Sequence, residues 1–128
     1  PDKIVLCVTG DGGVQMNIQE LGTIAQHHLN LKVLILNNHF LGMVRQWQEL
    51  FYKNNYSSVA LTSPDYVKLA DAYGIQGYQM KSARDMQKYH DRIFYDRGPC
   101  VVDYQVEKED NVFPMVPGGK TLGETVTE

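Results

Sequence analysis

An α/β domain with a parallel sheet between two layers of helices, three layers in all, is the fold class that the sequence predicts. Predominantly apolar runs of strand length at residues 4–9 and 32–36 flank a segment of helix length, residues 14–29. The first run is followed by Gly-Asp-Gly-Gly and the second by Asn-Asn. Strands joined in this way pair in parallel through a right-handed crossover, so residues 4–38 should form a βαβ unit.

The rest of the chain repeats this alternation of helices and strands. Apolar residues at helical spacing predict a helix over residues 42–52. Ser63 should cap a third helix, with Pro64 at its first position and Gly74 just after its end. Ser82 should cap a fourth helix. The strands that complete the sheet are expected at residues 75–80 and 100–106.

Composition fits an ordinary globular domain and disfavours several classes of partner. The 128 residues are 43% hydrophobic and 21% charged, with a net charge of −3. No basic run is present, so nothing indicates binding to nucleic acid or to an anionic membrane. No apolar run approaches the length that spans a bilayer. Cys7 and Cys100 lie in apolar runs, where we expect small buried side chains in a reducing compartment, a disulfide being the alternative.

Polar residues follow both strands of the βαβ unit, at the edge where open parallel sheets bind ligands. Gly12 and Gly13 allow a sharp turn with N–H groups facing outward, and the following helix should add a positive dipole end suited to phosphate. Asp11 would repel a phosphate, so a divalent cation should lie between them. Asn38 follows the neighbouring strand, about 4.8 Å away. Carboxylate, amide, backbone and phosphate oxygens suit Mg²⁺, which predicts a magnesium–diphosphate site.

Each of the two motifs also has a simpler structural interpretation. Gly-Asp-Gly is usually a turn, and Asn-Asn after a strand usually begins a loop. Their position at matching ends of consecutive parallel strands favours the ligand site. A phosphate- or nucleotide-binding module without catalysis remains an alternative, although such a module would not need Asn38.

The Gly-Asp-Gly of residues 10–12 and the Asn-Asn of residues 37–38 together resemble the fingerprint of thiamine-diphosphate enzymes. Leu-Gly-Met-Val-Arg-Gln-Trp at residues 41–47 and Phe-Pro-Met-Val-Pro-Gly-Gly at residues 113–119 are more particular. They resemble the catalytic large subunit of the acetohydroxyacid (acetolactate) synthase family. The resemblance extends over essentially the whole chain, including Ser-Pro-Asp at residues 63–65.

This resemblance implies a thiamine-diphosphate-binding domain of the pyrophosphate-binding type. Residues 1–110 would form the α/β domain, incomplete at its N-terminal side, and residues 111–128 would form a tail that closes over the active site. The chain begins at Pro1 without a methionine, so we expect a piece of a longer enzyme, either a natural split subunit or a truncated one. The N-terminal and middle domains of the same enzyme would be its partners.

In the resembled family the reaction is decarboxylation of pyruvate on thiamine diphosphate and transfer of the two-carbon unit to pyruvate or 2-ketobutyrate. The products feed the synthesis of valine, leucine and isoleucine. Mg²⁺ and FAD, the latter held mainly by the middle domain, would be the other cofactors. The implied assembly is a homodimer or tetramer with a possible regulatory small subunit, in the cytoplasm of a bacterium or archaeon, or in a plastid or mitochondrion.

The resemblance also assigns functions to residues of this chain. The metal ligands would be Asp11, Asn38 and the backbone carbonyl of Phe40. Met43, Val44 and Trp47 would line the substrate pocket, with Trp47 favouring the larger 2-keto acid. The activating glutamate belongs to another domain of the partner subunit, so no catalytic residue is expected here and the chain alone should be inert. The cofactor-binding residues would be Gly10, Asp11, Gly12, Gly13, Asn38, Phe40, Gly42 and Met43.

A few positions depart from the family pattern or remain open. Gly13 stands where serine is common, which removes a hydroxyl but keeps the N–H donor. His39 and Phe40 replace polar residues, and a carbonyl ligand survives at Phe40. Met16 matches another pocket methionine, although its helical spacing fits a core position equally well. The nearest rival is another thiamine-diphosphate enzyme, such as a pyruvate oxidase or a decarboxylase, against which residues 42–47 argue.

Overall fold

The sheet of the protein has four strands, in a computed structural model that describes residues 3–127. The strands are β1 (Val5–Gly10), β2 (Leu31–Asn37), β3 (Gln76–Met80) and β4 (Cys100–Gln105). Their order across the sheet is β1-β2-β4-β3, and each neighbouring pair is parallel. The predicted α/β class with a parallel sheet is therefore confirmed.

Helices cover both faces of this sheet: α1 (Asp11–Val14), α2 (Glu20–Gln26), α3 (Gly42–Phe51), α4 (Tyr66–Ala72) and α5 (Ala83–Phe94). Side chains alternate in direction along β4. Val101 packs in an apolar cluster with Ala70 of α4, whereas Val102 packs in a second cluster with Ile93 of α5. The sheet thus lies between two apolar cores.

Among residues 3–127, no helix combines the length and the apolar character needed to cross a membrane.

The first connection differs from the single helix predicted over residues 14–29. α1 has four residues and α2 has seven, and a turn separates them. In that turn the N–H groups of Met16 and Asn17 bond to carbonyls three residues earlier, at 3.2 and 3.0 Å. Asn17, a poor helix former, lies in this turn, and Gly12 and Gly13 weaken the short helix before it, which explains the break. Met16 is 76% exposed, so the core position considered for it is wrong.

The start of the third predicted helix also differs. α4 begins at Tyr66, and its N-cap is Asp65, whose carboxylate accepts a hydrogen bond from the Lys68 N–H at 3.0 Å. Ser63 is therefore not the cap. Pro64 disfavours helical geometry at the residue before it, which delays the helix. Two other predicted helix boundaries are confirmed: Gly74 follows the helix with φ of +70°, and Ser82 caps α5 by accepting the Asp85 N–H.

The two cysteines occupy different environments. Cys100 is buried, but Cys7 is exposed because β1 is an edge strand of the sheet. The expectation that both thiols are buried is thus wrong for Cys7. Both are free thiols, and β2 lies between their strands. Two strand spacings, about 9.6 Å, exceed the Cα separation that a disulfide can span.

The C-terminal tail lies against α3. The Gln46 side chain is buried and makes two hydrogen bonds of 2.9 Å to the main chain of Val112, one from its amide group and one to its amide oxygen. Asn111 donates to Glu49 at 2.9 Å. Met115 forms an isolated antiparallel bridge further along the tail. Gln46 is therefore the main polar link between tail and helix.

The cap at Asp65 predicts a pH-dependent contribution to stability. Hydrogen bonds from Lys68 hold the pKa of Asp65 below its ordinary value of 3.8. A lowered folded-state pKa stabilises the fold fully above about pH 3.8, and this contribution disappears as the pH falls through the folded-state pKa. Asp65→Ala should lower Tm at pH 7, and the difference from the parent protein should shrink towards pH 2–3. Asp71→Ala, on the same helix, is the control, and a difference independent of pH would contradict the cap.

Because the Gln46 side chain makes two hydrogen bonds to Val112, we expect its removal to loosen the tail. Gln46→Ala removes two hydrogen bonds worth about 1 kcal/mol each, so protease cleavage within residues 111–117 should rise roughly 30-fold. Gln48 is a matched control because it makes the same pair of bonds, at 3.0 Å, to Ser57 instead. Gln48→Ala should therefore loosen the loop around Ser57 and leave the tail protected. Equal cleavage of the tail in both variants would rule out the specific link.

Candidate functional site

The carboxyl ends of β1 and β2 meet at one edge of the sheet. Gly10 lies opposite Leu36 in the register of the two strands, which brings the residues after each strand together. A cavity of about 450 Å³ opens there. Met43, among the predicted cofactor-binding residues, does not line it. The cavity is lined by Gly10, Asp11, Gly12, Gly13, Asn38, Phe40 and Gly42, together with Leu36, Val106, Glu107 and Asp110.

Asp11 is the first residue of α1 and is only 1% exposed. Its carboxylate accepts one described hydrogen bond, from the Ser63 hydroxyl to Oδ2 at 2.8 Å. None of the ion pairs found among residues 3–127 includes Asp11. A buried carboxylate with so little compensation is costly unless a cation or further donors reach it. The free oxygen of Asp11 therefore suits a metal ion.

The turn after β2 is held by its own asparagine side chains. Asn37 accepts the His39 N–H at 3.3 Å, and Asn38 accepts the Phe40 N–H at 3.0 Å. These bonds hold His39 in a left-handed conformation with φ of +60°. One lone pair of the Asn38 oxygen stays available. The carbonyl of Phe40 accepts no hydrogen bond in the part of the chain that the structure describes, so it too is available to a metal ion.

The glycines before and within α1 are required for different reasons. A Cβ at Gly12 would lie 2.8 Å from a Leu41 methyl, and one at Gly13 would lie 2.9 Å from the Thr9 hydroxyl. A Cβ at Gly10 would meet no protein atom within 4 Å, so that side of Gly10 is open space. Because α1 has only four residues, its dipole is weak. The backbone N–H groups of the turn, and not the long helix predicted, are what this edge offers a phosphate.

The predicted pocket residues lie beside the cavity and not in its lining. Met43 and Val44 are on the first turn of α3, and both are exposed. The Trp47 ring packs against Phe51, with ring centroids 4.9 Å apart, and Gly118 of the tail lies next to it. These three side chains therefore form an apolar surface on the first half of α3, which is partly open to solvent and has the tail beside Trp47.

A buried network around Asp103 supports the same edge and was not predicted. Asp103, which is 2% exposed, accepts hydrogen bonds from the side-chain amides of Asn37, Gln79 and Gln105 at 2.9–3.0 Å. Gln105 in turn contacts the His39 ring at 3.2 Å. A carboxylate inside an apolar strand was the available sequence signal. The network connects β4 and β3 to the turn that carries Asn38.

Tyr66 is the other residue missed at the sequence level. Its hydroxyl donates to the backbone carbonyl of Asp11 at 3.0 Å, and its side chain is almost fully buried. Burial is the largest cause that raises the pKa of Tyr66 above its ordinary value of 10.0. The phenol therefore stays protonated and remains a hydrogen-bond donor throughout the physiological pH range.

Comparison with known proteins identifies the class. Residues 1–104 match the family of the thiamine pyrophosphate enzyme C-terminal TPP binding domain, and the chain belongs to this family. A thiamine diphosphate-dependent 4-hydroxybenzoylformate decarboxylase from Rhodococcus jostii RHA1 has a similar fold, with a TM-score of 0.77 and 24% sequence identity. That match covers 84% of this chain and 20% of the other.

More particular similarity is found among acetolactate synthases. The chain is 44% identical over 123 residues to the acetolactate synthase large subunit of Cyanidium caldarium, covering 94% of this chain and 21% of that protein. It is 40% identical over 125 residues to the acetolactate synthase isozyme 2 large subunit of Escherichia coli (strain K12), covering 97% and 23%. The resemblance predicted from the motifs is confirmed. The chain spans about a fifth of the length of these relatives.

Gly10 and Gly12 have different surroundings, so we expect alanine substitutions at the two positions to have different outcomes. Gly10→Ala adds a methyl to open space beside the cavity, so thiamine diphosphate binding should weaken at least tenfold while Tm changes little. Gly12→Ala pushes against Leu41, so Tm should fall by several degrees as well. This can be checked by calorimetric titration with thiamine diphosphate and by thermal unfolding. Both variants should be made in the protein as its source organism expresses it. Unchanged cofactor affinity in Gly10→Ala would show that the cofactor does not approach that side of the turn.

Proposed function

We propose that the chain is the C-terminal cofactor-binding portion of an acetolactate synthase. That enzyme condenses pyruvate with pyruvate or 2-ketobutyrate by means of thiamine diphosphate, in the synthesis of valine, leucine and isoleucine. Family membership and 40–44% identity to acetolactate synthase large subunits support this. The observation that carries the proposal is the buried, nearly uncompensated carboxylate of Asp11 beside Asn38 at the carboxyl edge of the sheet.

In this proposal the chain binds and orients the cofactor. Asp11, the amide oxygen of Asn38 and the backbone carbonyl of Phe40 hold Mg²⁺, and the N–H groups of Gly12 and Gly13 bind the diphosphate. Among residues 3–127, no group of three His, Cys, Asp or Glu side chains could hold a metal alone. A site with one carboxylate therefore relies on neutral oxygens and on diphosphate oxygens, which suits Mg²⁺. Bound thiamine diphosphate supplies the carbanion chemistry.

The apolar surface of α3 has a proposed function in substrate choice. Met43, Val44 and Trp47 would contact the second 2-keto acid, with the indole favouring 2-ketobutyrate over pyruvate. One extra methylene in an apolar pocket is worth about 1–3 kcal/mol, so this preference would be modest. Their present exposure is compatible with a pocket that other parts of the enzyme complete.

Other parts of the proposed enzyme lie outside this chain. The activating glutamate, the domain that mainly holds FAD, the second subunit of a homodimer or tetramer and any regulatory small subunit would complete the enzyme. The 128 residues alone should therefore be inactive. The compartment would be the cytoplasm in a bacterium or archaeon, and a plastid or mitochondrion in a eukaryote.

A variant of Asp11 tests this proposal. In the naturally expressed protein, thiamine diphosphate should bind tightly only with Mg²⁺ present, and Asp11→Asn should weaken Mg²⁺-dependent binding by more than about 100-fold. Asp71→Asn, an exposed carboxylate on α4, is the control and should bind like the parent protein. Calorimetric titration with and without Mg²⁺ measures both. Binding that does not need the metal, or an unaffected Asp11→Asn variant, would instead favour a plain phosphate-binding module.

The reaction itself needs a separate measurement. The assay uses the protein as its source organism expresses it. Its product should be 2-acetolactate with pyruvate alone, and 2-aceto-2-hydroxybutyrate should appear when 2-ketobutyrate is added. Acetaldehyde or acetyl phosphate as the main product would identify a decarboxylase or an oxidase of the same family instead.

A further inference from the structure

Residues 61–66 hold Asp11 from two directions. Ser63 donates to carboxylate oxygen Oδ2 at 2.8 Å, and Tyr66 donates to the backbone carbonyl at 3.0 Å. Oδ1 receives no hydrogen bond within the described residues. The side chain of Asp11 therefore has one occupied oxygen and one open oxygen, and its main chain is fixed as well.

The same segment is anchored to the turn after β2. The Leu61 N–H donates to the His39 carbonyl at 2.8 Å, and the Leu41 N–H donates to the Val59 carbonyl at 2.8 Å. Phe40 and Ala60 lie opposite each other in this short antiparallel bridge. The segment thus links Asp11, which lies 52 residues before Ser63 in the sequence, to the turn that carries Asn38 and Phe40.

The position of Ser63 is set by its neighbours and not by capping. Asp65 caps α4, which leaves the Ser63 hydroxyl free to donate elsewhere. Leu61 is bonded on one side and Pro64 follows on the other, so the backbone at Ser63 has little freedom. A serine fixed in this way is a rigid hydrogen-bond donor for a carboxylate.

We propose that Ser63 is a positioning residue, which occupies Oδ2 of Asp11 so that Oδ1 alone faces the cation. This inference rests on the proposed function, because it needs a cation at Asp11. Carboxylates that bind metals are themselves hydrogen-bonded, and loss of such a partner costs 10–100-fold in metal affinity. Single-oxygen binding matches the octahedral geometry that Mg²⁺ demands, whereas Ca²⁺ tolerates a carboxylate that binds through both oxygens.

The test compares Ser63→Ala and Ser63→Thr in the naturally expressed protein. At fixed thiamine diphosphate, titration with Mg²⁺ should show affinity about 10–100-fold weaker in Ser63→Ala and within about threefold of the parent in Ser63→Thr, which keeps the hydroxyl. Affinity for Ca²⁺ should fall less than affinity for Mg²⁺ in Ser63→Ala, because both carboxylate oxygens become available. A purely structural serine would change Tm and leave the ratio of the two affinities unchanged.

The outcomes separate this inference from the proposed function. Mg²⁺ affinity at the parent level in Ser63→Ala, with affinity lost in Asp11→Asn, would overturn the positioning of Asp11 by Ser63 and leave the metal site intact. Retained affinity in Asp11→Asn would overturn the metal site itself, and the inference with it. If Ser63→Ala does not fold, Ser63→Cys keeps the volume with a weaker donor. Intermediate Mg²⁺ affinity there supports the proposal, and parent-like affinity opposes it.

Discussion

A carboxylate with almost no compensation, buried at the end of a strand, is the constraint on which the rest of the structure depends. Asp11 lies in the interior, next to the carboxyl edge of a parallel sheet, with one hydrogen bond to its side chain. Its burial is costly without an opposite charge. The surrounding groups do not supply that charge but do supply neutral oxygens, from Asn38 and Phe40, at the same edge. The geometry is therefore suited to a cation that a bound ligand helps to hold.

Three parts of the fold bring these oxygens together. The parallel register of β1 and β2 places Gly10 beside Leu36, so both polar turns begin at the same level. The buried network of Asp103 fixes the base of the second turn. The segment before α4 then reaches back to Asp11 through Ser63. Each part uses hydrogen bonds to immobilise a group that the proposed metal ion would need in a fixed place, which would lower the cost of binding.

Prediction of the fold from the sequence succeeds where the local residue pattern and the topology of the sheet favour the same structure. Strand-length apolar runs and the glycines between them are sufficient to place β1, β2 and the polar edge, because crossover handedness and strand spacing leave few alternatives. Likewise, α3 follows from apolar periodicity. All the predicted metal ligands and all but one of the predicted cofactor-binding residues line one cavity.

Prediction fails where a contact distant in sequence overrides the local preference. Ser63 has the pattern of an N-cap, yet it donates to a carboxylate 52 residues away. The helix predicted after β1 is divided into two because Gly12, Gly13 and Asn17 are poor helix formers, although the apolar spacing continues. Cys7 lies in a run that looks buried, but the strand is at an edge, and no local signal distinguishes an edge from a centre. Tyr66 and Asp103 depend on tertiary contacts in the same way.

Anomalous diffraction from crystals of the naturally expressed protein, grown with thiamine diphosphate and with Mn²⁺ in place of Mg²⁺, would locate the metal ion. If Asp11 is its ligand, one strong anomalous peak should lie about 2.1 Å from Oδ1 of Asp11, the amide oxygen of Asn38 and the carbonyl oxygen of Phe40. Ser63 should remain bonded to Oδ2. A peak elsewhere, or a bound cofactor with no metal at Asp11, would contradict this metal site.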